Sequence, residues 1–200
     1  MGSDEEDRGP REFEDATFPD QEELLAGLED VRLTPAEHQR IKNLVNEDLD
    51  ELKGYDRRYL VVGAGGGTGA ATRRGTVYDR LDARTTPPAV AFCLEDYGLT
   101  PEEIRLWVRA FDILCGRATH IVAVVEDFDG GYVWEMGLLF APSYREKAWV
   151  LKRRYGDPET ERERYANGMA ASHVELLLTG PRCHEWADEA ELREAVDRVP

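Results

Sequence analysis

The stretch IVAVVEDFDGGYVWEMG, residues 121–137, decides the fold. It opens with five apolar residues, a run typical of a strand that is buried on both faces. Two glycines then turn the chain, and a helix pattern follows. Three carboxylates, those of Asp127, Asp129 and Glu135, lie in this turn and at the helix start. Open α/β sheets bind ligands beyond the carboxyl ends of their strands, so we expect a ligand site here.

Strand and helix patterns alternate on both sides of this stretch. Besides 120–125, strands are predicted at 59–63, 88–93, 148–151 and 182–186. Helices are predicted near 73–84, 100–115, 131–140, 157–178 and 188–199, with a break near Gly168 as an alternative within the fourth. Strands separated by helices indicate a parallel sheet with helices on both faces. The predicted fold is therefore α/β, a flavodoxin-like or Rossmann-like parallel sheet of about five strands.

The chain before residue 56 has a different character. Residues 1–19 are acidic and polar, which predicts a disordered tail. Residues 20–55 form a predicted helical arm, whose main helix begins at Thr34 with a capping box completed by Glu37 and runs to Lys53. Its apolar stripe is expected to pack on the α/β domain at 56–200, and a subunit interface is the alternative. The stripe consists of Ile41, Leu44, Val45, Leu49 and Leu52.

The composition is strongly acidic and poor in lysine. The net charge is −16, from 41 acidic and 25 basic residues, and only four of the basic residues are lysines. Such a surface stays hydrated in concentrated salt, which predicts a halophilic, cytoplasmic protein; an ordinary acidic protein is the alternative. General nucleic-acid binding needs clustered positive charge and is not expected. No apolar run has membrane-spanning length and no signal-peptide pattern opens the chain, so we expect no membrane partner.

Metal and redox chemistry are also not expected. Cys93 and Cys115 lie in apolar surroundings and are predicted to be buried, reduced core residues. Cys183 and His184 are adjacent but have no further ligand at metal-binding spacing. Arg153 and Arg154 are interpreted as surface charges. We therefore predict no metal and no cofactor.

A glycine-rich loop, VVGAGGGTGAA at 61–71, follows the first predicted strand. It is similar to the opening of a dinucleotide-binding domain, in which glycines let the backbone approach phosphate. The spacing departs from that fingerprint, because Thr68 occupies the third glycine position. The acidic residue expected about 20 residues later is absent, and Glu95 and Asp96 come later still. A loop that approaches a phosphate or sugar is the favoured interpretation; dinucleotide binding and a merely flexible loop are the alternatives.

Asp129 and Glu135 form a candidate catalytic pair across the Gly-Gly turn. Two nearby carboxylates can divide labour, one ionised and the other holding a proton at a raised pKa. Retaining glycosyl transfer uses such a pair, because the anomeric carbon passes through a cationic transition state. The alternative is structural, with Asp129 capping the helix and Glu135 as a favourable acid in its first turn.

The acidic loop resembles the active-site segment of nucleoside 2-deoxyribosyltransferases. The matching residues are, in order, Asp129, Gly131, Trp134, Glu135 and Gly137. The resemblance extends over roughly 58–199 and implies that Glu135 is the nucleophile, that Asp129 orients the sugar, and that Asp112 protonates the leaving base. Asn167 resembles an asparagine that reaches the neighbouring subunit's site, so a homo-oligomer is a further implication.

The function implied by this resemblance is cleavage or exchange of an N-glycosidic bond in a nucleoside or nucleotide. The expected substrate-binding residues are Gly63, Ala64, Gly65, Gly66, Asp127, Gly130, Gly131, Tyr132 and Asn167. The chain departs from the family in its glycine-rich first loop, in its N-terminal arm and in the absence of a closing aromatic residue. A non-catalytic nucleotide-binding sensor and a protein-interaction module that works through the acidic arm are the alternatives.

Overall fold

The computed structural model describes most of the chain from residue 33 onward. The described residues are 33–65, 69–99, 103–128, 132–139, 141–166, 168, 171, 172, 174, 176 and 180–200. They belong to two compact units, Met1–His38 and Gln39–Pro200. The predicted disordered tail and the first part of the predicted arm lie outside the described residues.

The described end of the first unit contains the predicted capping box. The backbone N–H of Thr34 donates to Oε2 of Glu37 at 2.7 Å, and the N–H of Glu37 donates to Oγ1 of Thr34 at 3.2 Å. Helix α1, Pro35–Asn43, starts directly after Thr34. The prediction of the helix start is confirmed, because the two side chains satisfy backbone donors that the first helical turn leaves free.

The prediction that this helix continues unbroken to Lys53 is wrong. A π-helical turn, Leu44–Asp48, and a 3₁₀ turn, Glu51–Gly54, follow α1. In an unbroken α-helix, Leu49 would lie about 140° around the axis from Leu44, because each residue advances by about 100°. The wider π turn reduces that angle, and Leu44, Leu49 and Leu52 are all buried in one apolar core. Their burial confirms that this part of the stripe packs on the α/β domain.

The remaining elements follow the predicted alternation. The strands are β1 Arg57–Gly63, β2 Ala89–Phe92, β3 His120–Val125, β4 Ala148–Arg153 and β5 Cys183–Trp186. The helices are α2 Gly69–Asp82, α3 Ile104–Arg117, α4 Tyr132–Leu138, α5 Pro142–Arg145, α6 Pro158–Arg164 and α7 Glu189–Asp197. A 3₁₀ turn, Leu94–Tyr97, follows β2. Helix α2 begins one turn earlier than predicted, at the last glycine of the loop.

The five strands form one sheet in the order β2-β1-β3-β4-β5, and every pairing is parallel. The predicted α/β fold with a five-stranded parallel sheet is confirmed. From β1 the chain first moves outward to β2 and then returns to place β3 on the other side of β1. The carboxyl ends of β1 and β3 are therefore the switch point at which open sheets of this kind bind ligands.

Two apolar layers cover the two faces of the sheet. One layer packs α3 and α4 on β1 and β3, with Leu114 and Met136 among its buried residues. The other packs α2 and α7 on the opposite face, around Leu192 and the fully buried Trp186, whose Nε1 donates to the Leu151 carbonyl at 3.0 Å. Cys93 and Cys115 are buried free thiols, as predicted. None of the helices in the described part of the chain is long and apolar enough to cross a membrane.

Candidate functional site

Neighbouring strands β1 and β3 both end at the switch point, and most of the predicted site residues follow them in sequence. Gly63 ends β1, Ala64 and Gly65 follow it, and Asp127 follows β3. Glu135 lies in the first turn of α4, as predicted. Outside the described residues lie Gly66, Asp129, Gly130, Gly131, Asn167 and the side chain of Tyr132. The structure therefore tests the placement of Gly63, Ala64, Gly65 and Glu135, and leaves that of Asp129 a prediction.

Gly63 is required by the packing of two neighbouring strands. It pairs with Val124 of β3, and its φ is +155°. A Cβ at this position would lie 2.8 Å from the Val124 carbonyl oxygen, closer than such atoms approach in real proteins. Because both groups are backbone, neither can move aside cheaply. This first glycine of the loop is thus explained by the fold before any ligand is considered.

An ion pair that the sequence analysis did not foresee lies beside the glycine loop. Nη1 of Arg74, in α2, donates to Oε1 of Glu95 at 2.8 Å. The same nitrogen lies 3.4 Å from the Gly63 carbonyl oxygen. A Cβ on Gly65 would lie 3.2 Å from Oε1 of Glu95. The pair therefore joins the loop after β1 to the 3₁₀ turn after β2.

Glu135 lies in the electrostatic neighbourhood of this pair. Burial, followed by the negative charge of Glu95, raises the pKa of Glu135 to about 7, and Arg74 acts in the opposite direction. For Glu95, burial acts to raise the pKa, but hydrogen bonding to Arg74 and other favourable contacts outweigh it and hold the pKa below its usual value. The site thus contains two carboxyl groups whose pKa values are shifted in opposite directions, as acid and base roles require.

The raised pKa of Glu135 predicts a pH-dependent loss of stability. A carboxyl whose pKa is higher in the folded than in the unfolded protein stabilises the fold fully below the unfolded value of 4.5 and loses that contribution as the pH rises through about 7. Glutamine mimics the protonated form. We therefore expect Glu135→Gln to match the wild type near pH 4.5 and to melt at a higher temperature than the wild type at pH 8.

Thermal melts between pH 4.5 and pH 8 measure this effect. Glu146→Gln, at an exposed residue after α5, is the matched control and should track the wild type at every pH. A difference between Glu135→Gln and the wild type that does not grow with pH would contradict the assignment of a raised pKa.

Asp112 lies on α3, and its side chain is exposed. The hydroxyl group of Tyr144, in α5, donates to its carboxylate. The charges that shift the pKa of Glu135 come from Glu95 and Arg74, and Asp112 is not one of them. The role that the family resemblance implies for Asp112 stays a prediction.

Asp127 and Phe128 fix the start of the acidic loop. Oδ2 of Asp127 lies 3.6 Å from Nη1 of Arg164 at the end of α6. The N–H of Phe128 donates to the Arg164 carbonyl at 2.8 Å, and its ring packs edge-on against Tyr165 with 5.0 Å between ring centroids. The predicted substrate residue Asp127 therefore also anchors the loop to the segment after α6.

A second charged cluster lies at the same edge of the sheet. Glu126, directly after β3, is buried and accepts from Nε of Arg73 at 2.7 Å and from Nη1 of Arg153 at 2.7 Å. Both guanidinium groups lie over the Trp186 ring, 6.0 and 5.5 Å from its centroid for Arg73 and Arg153. The interpretation of Arg153 as a surface charge is wrong. Arg153 is the last residue of β4, and its side chain forms an ion pair with the buried carboxylate of Glu126. Arg154, its neighbour, is half-exposed and pairs with Glu191.

Sequence reasoning missed Arg73, Arg74, Glu95, Glu126 and Arg153. Two of them could have been noticed, because the cations Arg73 and Arg74 come one residue after the glycine loop. Neighbours in a helix point about 100° apart. Arg74 consequently reaches Glu95, while Arg73 reaches Glu126.

Residues 14–181 match the model of a protein family described as "Family of unknown function (DUF8170)". The chain belongs to this family. No curated protein matches the chain. The crystal structure of a conserved protein from Enterococcus faecalis V583 is similar to it, with a TM-score of 0.47 and 11% identity over 72% of this chain and 99% of that chain.

Proposed function

We propose that this DUF8170 protein cleaves or exchanges the N-glycosidic bond of a nucleoside or nucleotide, with Glu135 as the nucleophile. The observation that carries the proposal is the carboxylate arrangement at the switch point. Glu135 is held in a desolvated position, its pKa is raised to about 7, and Glu95 stays ionised beside Arg74. Desolvation makes a carboxylate more basic and more reactive toward a cationic carbon.

In the proposed reaction, a carboxylate oxygen of Glu135 attacks the anomeric carbon of the sugar. A carbon–oxygen bond forms, the carbon–nitrogen bond breaks, and its electron pair leaves with the base, which takes up a proton. Asp112 is the proposed donor of that proton, and Asp129 is proposed to orient the sugar. Water or a second base then attacks the glycosyl-enzyme and releases the Glu135 carboxylate, which gives hydrolysis or base exchange.

The pH profile follows from the charge state that the nucleophile needs. Only the ionised form of Glu135 can attack, so we expect the rising limb of the kcat/KM profile to have its midpoint near pH 7. Replacing Glu95 with glutamine removes the like charge that raises the pKa of Glu135. The rise should therefore move to lower pH in Glu95→Gln and stay in place in the exposed control Glu146→Gln. A kcat/KM that is already maximal below pH 7 and falls through pH 7 would instead assign Glu135 as a general acid.

A chromatographic assay tests the function itself. The protein is incubated with nucleosides, deoxynucleosides, nucleotides and NAD. The buffer contains concentrated KCl, because the acidic composition predicts that the protein requires salt. Free base is then measured beside the Glu135→Ala variant. Base released by the wild type alone would support N-glycosidic chemistry and name the substrate. If folded wild-type protein releases no base from any compound, the proposed reaction is wrong.

A second candidate is nucleotide binding without turnover. It is favoured by the position of Glu95, which follows β2 and faces Gly65 in the loop after β1. In dinucleotide-binding domains an acid at the end of the second strand binds a ribose hydroxyl beside such a loop. Calorimetric titration with NAD and ATP distinguishes the two functions, because tight binding with no released base would favour the binding module. Glu95→Gln should then weaken binding.

A further inference from the structure

The cluster at Glu126 has more positive than negative charge. The directly paired groups are two guanidinium groups, of Arg73 and Arg153, and one carboxylate, and this set has an excess of one positive charge. Glu189, at the start of α7, is a more distant negative charge that acts on Arg73 and is itself paired with Arg193. The Glu126 side chain is 6% exposed, whereas those of Arg73 and Arg153 are 22% and 28% exposed. The Glu126 carboxylate is therefore almost inaccessible to solvent, whereas parts of both guanidinium groups remain accessible to a solute.

The cluster also has more hydrogen-bond donors than acceptors. The two guanidinium groups carry about ten N–H donors, five each, and Glu126 accepts from Nε and Nη2 of Arg73 and from Nη1 of Arg153. Nε of Arg153 is buried with no acceptor among the described residues. A buried donor without an acceptor is costly, so such a group calls for a partner such as a water or an ion.

Contacts besides those with Glu126 also hold the two arginines in place. The Arg153 guanidinium carbon lies 4.9 Å from the Tyr155 ring centroid, and the hydroxyl group of Tyr155 donates to the Glu126 carbonyl at 2.7 Å. The Trp186 ring beneath both guanidinium groups is fully buried. Nη1 of Arg73 would lie 3.3 Å from a Cβ on Gly69, so this arginine crosses the start of α2 at its glycine. The two guanidinium groups are thus fixed by packing.

We propose that Arg73 and Arg153 form a binding site for a tetrahedral oxyanion, a phosphate or phosphate monoester. Planar guanidinium forks match the oxygens of phosphate, and a second anion would balance the excess positive charge. The site is separate from the Arg74–Glu95 pair, since Arg73 and Arg74 diverge from neighbouring positions of α2. Glu126 has a positioning role, because it holds both arginines without contacting the anion.

The anion has two possible sources, free phosphate or the phosphate group of a nucleotide. The second source deepens the function proposed above and rests on it, because the substrate would then be a nucleotide rather than a nucleoside. Binding of inorganic phosphate alone does not depend on glycosidic chemistry. The two hypotheses can therefore fail separately.

Calorimetric titration of the wild type with inorganic phosphate, at fixed ionic strength in KCl, tests the site. We expect saturable binding that weakens at least about tenfold in Arg153→Gln and in Arg73→Gln, since each loses charge-assisted hydrogen bonds. Arg153→Lys keeps the charge opposite Glu126 but lacks the planar fork, and should weaken binding similarly. Arg154→Gln, at the neighbouring half-exposed arginine, is the matched control and should bind within about twofold of the wild type. Circular dichroism melts establish that each variant is folded.

The absence of saturable phosphate binding by the wild type would overturn the proposed site. An equal loss in Arg154→Gln would also overturn it, since it would indicate general attraction of anions. A second titration compares a 5′-nucleotide with its nucleoside, using Glu135→Gln protein to prevent turnover. If the nucleotide binds at least about tenfold more tightly than the nucleoside, and if this difference disappears in the double variant with Arg153→Gln, the nucleotide source is supported. Equal affinities for nucleotide and nucleoside would overturn that source.

Discussion

Glu135→Gln is expected to lower kcat for base release at least about a thousandfold. The amide keeps the shape of the side chain but cannot attack the anomeric carbon, so no glycosyl-enzyme forms. Its effect on KM should be small, because the proposed substrate contacts are made by the loop after β1 and by the acidic loop. Initial rates at pH 8, where Glu135 of the wild type is mostly ionised, measure the difference.

Glu146→Gln controls for the loss of one negative charge from a strongly acidic chain and should keep full activity. The melting experiment controls for folding, because Glu135→Gln is expected to be at least as stable as the wild type at pH 8. A stabilised variant that has lost turnover could not be explained by misfolding. Undiminished turnover in Glu135→Gln would refute the nucleophile assignment.

The second large effect is expected from Gly63→Ala, which should lower the free energy of unfolding by about 3 kcal/mol or more. The added Cβ would lie 2.8 Å from the Val124 carbonyl oxygen, and the φ of +155° is one that alanine rarely adopts. Relief would require β1 and β3 to separate at the switch point. Urea denaturation followed by circular dichroism measures the loss.

Gly75→Ala is the matched control, because Gly75 lies inside α2 and a Cβ there would meet no atom within 4 Å. Alanine in a helix interior is favoured over glycine by about 1 kcal/mol, so this variant should be as stable as the wild type or more so. If Gly63→Ala proves as harmless as Gly75→Ala, the close approach of β1 to β3 is not as described.

Local patterns along the chain predicted most of the secondary structure. The apolar run predicts the strand at 120–125 with its observed bounds, because strands buried on both faces of a sheet have near-continuous apolar sequences. The helix start at Thr34 was also correct, since a capping box is made by residues three apart. The helical pattern did not predict the π-helical turn at Leu44–Asp48. This turn brings Leu49 into the same core as Leu44.

Some features of the candidate site could also be predicted from local patterns, and others could not. Placing Glu135 in the first turn of the helix after β3 needed only the order strand, glycine turn, helix. Its pKa of about 7 could not be foreseen, because it depends on burial and on Glu95, a residue of another loop. Arg153 was misread for a similar reason. It lies beside an exposed arginine in sequence but beside a buried glutamate in space.

The sequence by itself determined a parallel α/β sheet, with an acidic loop and a glycine loop at its carboxyl edge, because hydrophobic periodicity and turn residues act over short distances along the chain. Only the tertiary structure decided which charges meet. The ion pairs of Arg74 with Glu95, of Arg153 with Glu126 and of Arg73 with Glu126 join residues that are 21, 27 and 53 positions apart. Such partners are brought together by strand order and helix rotation, and no local pattern of residues encodes them.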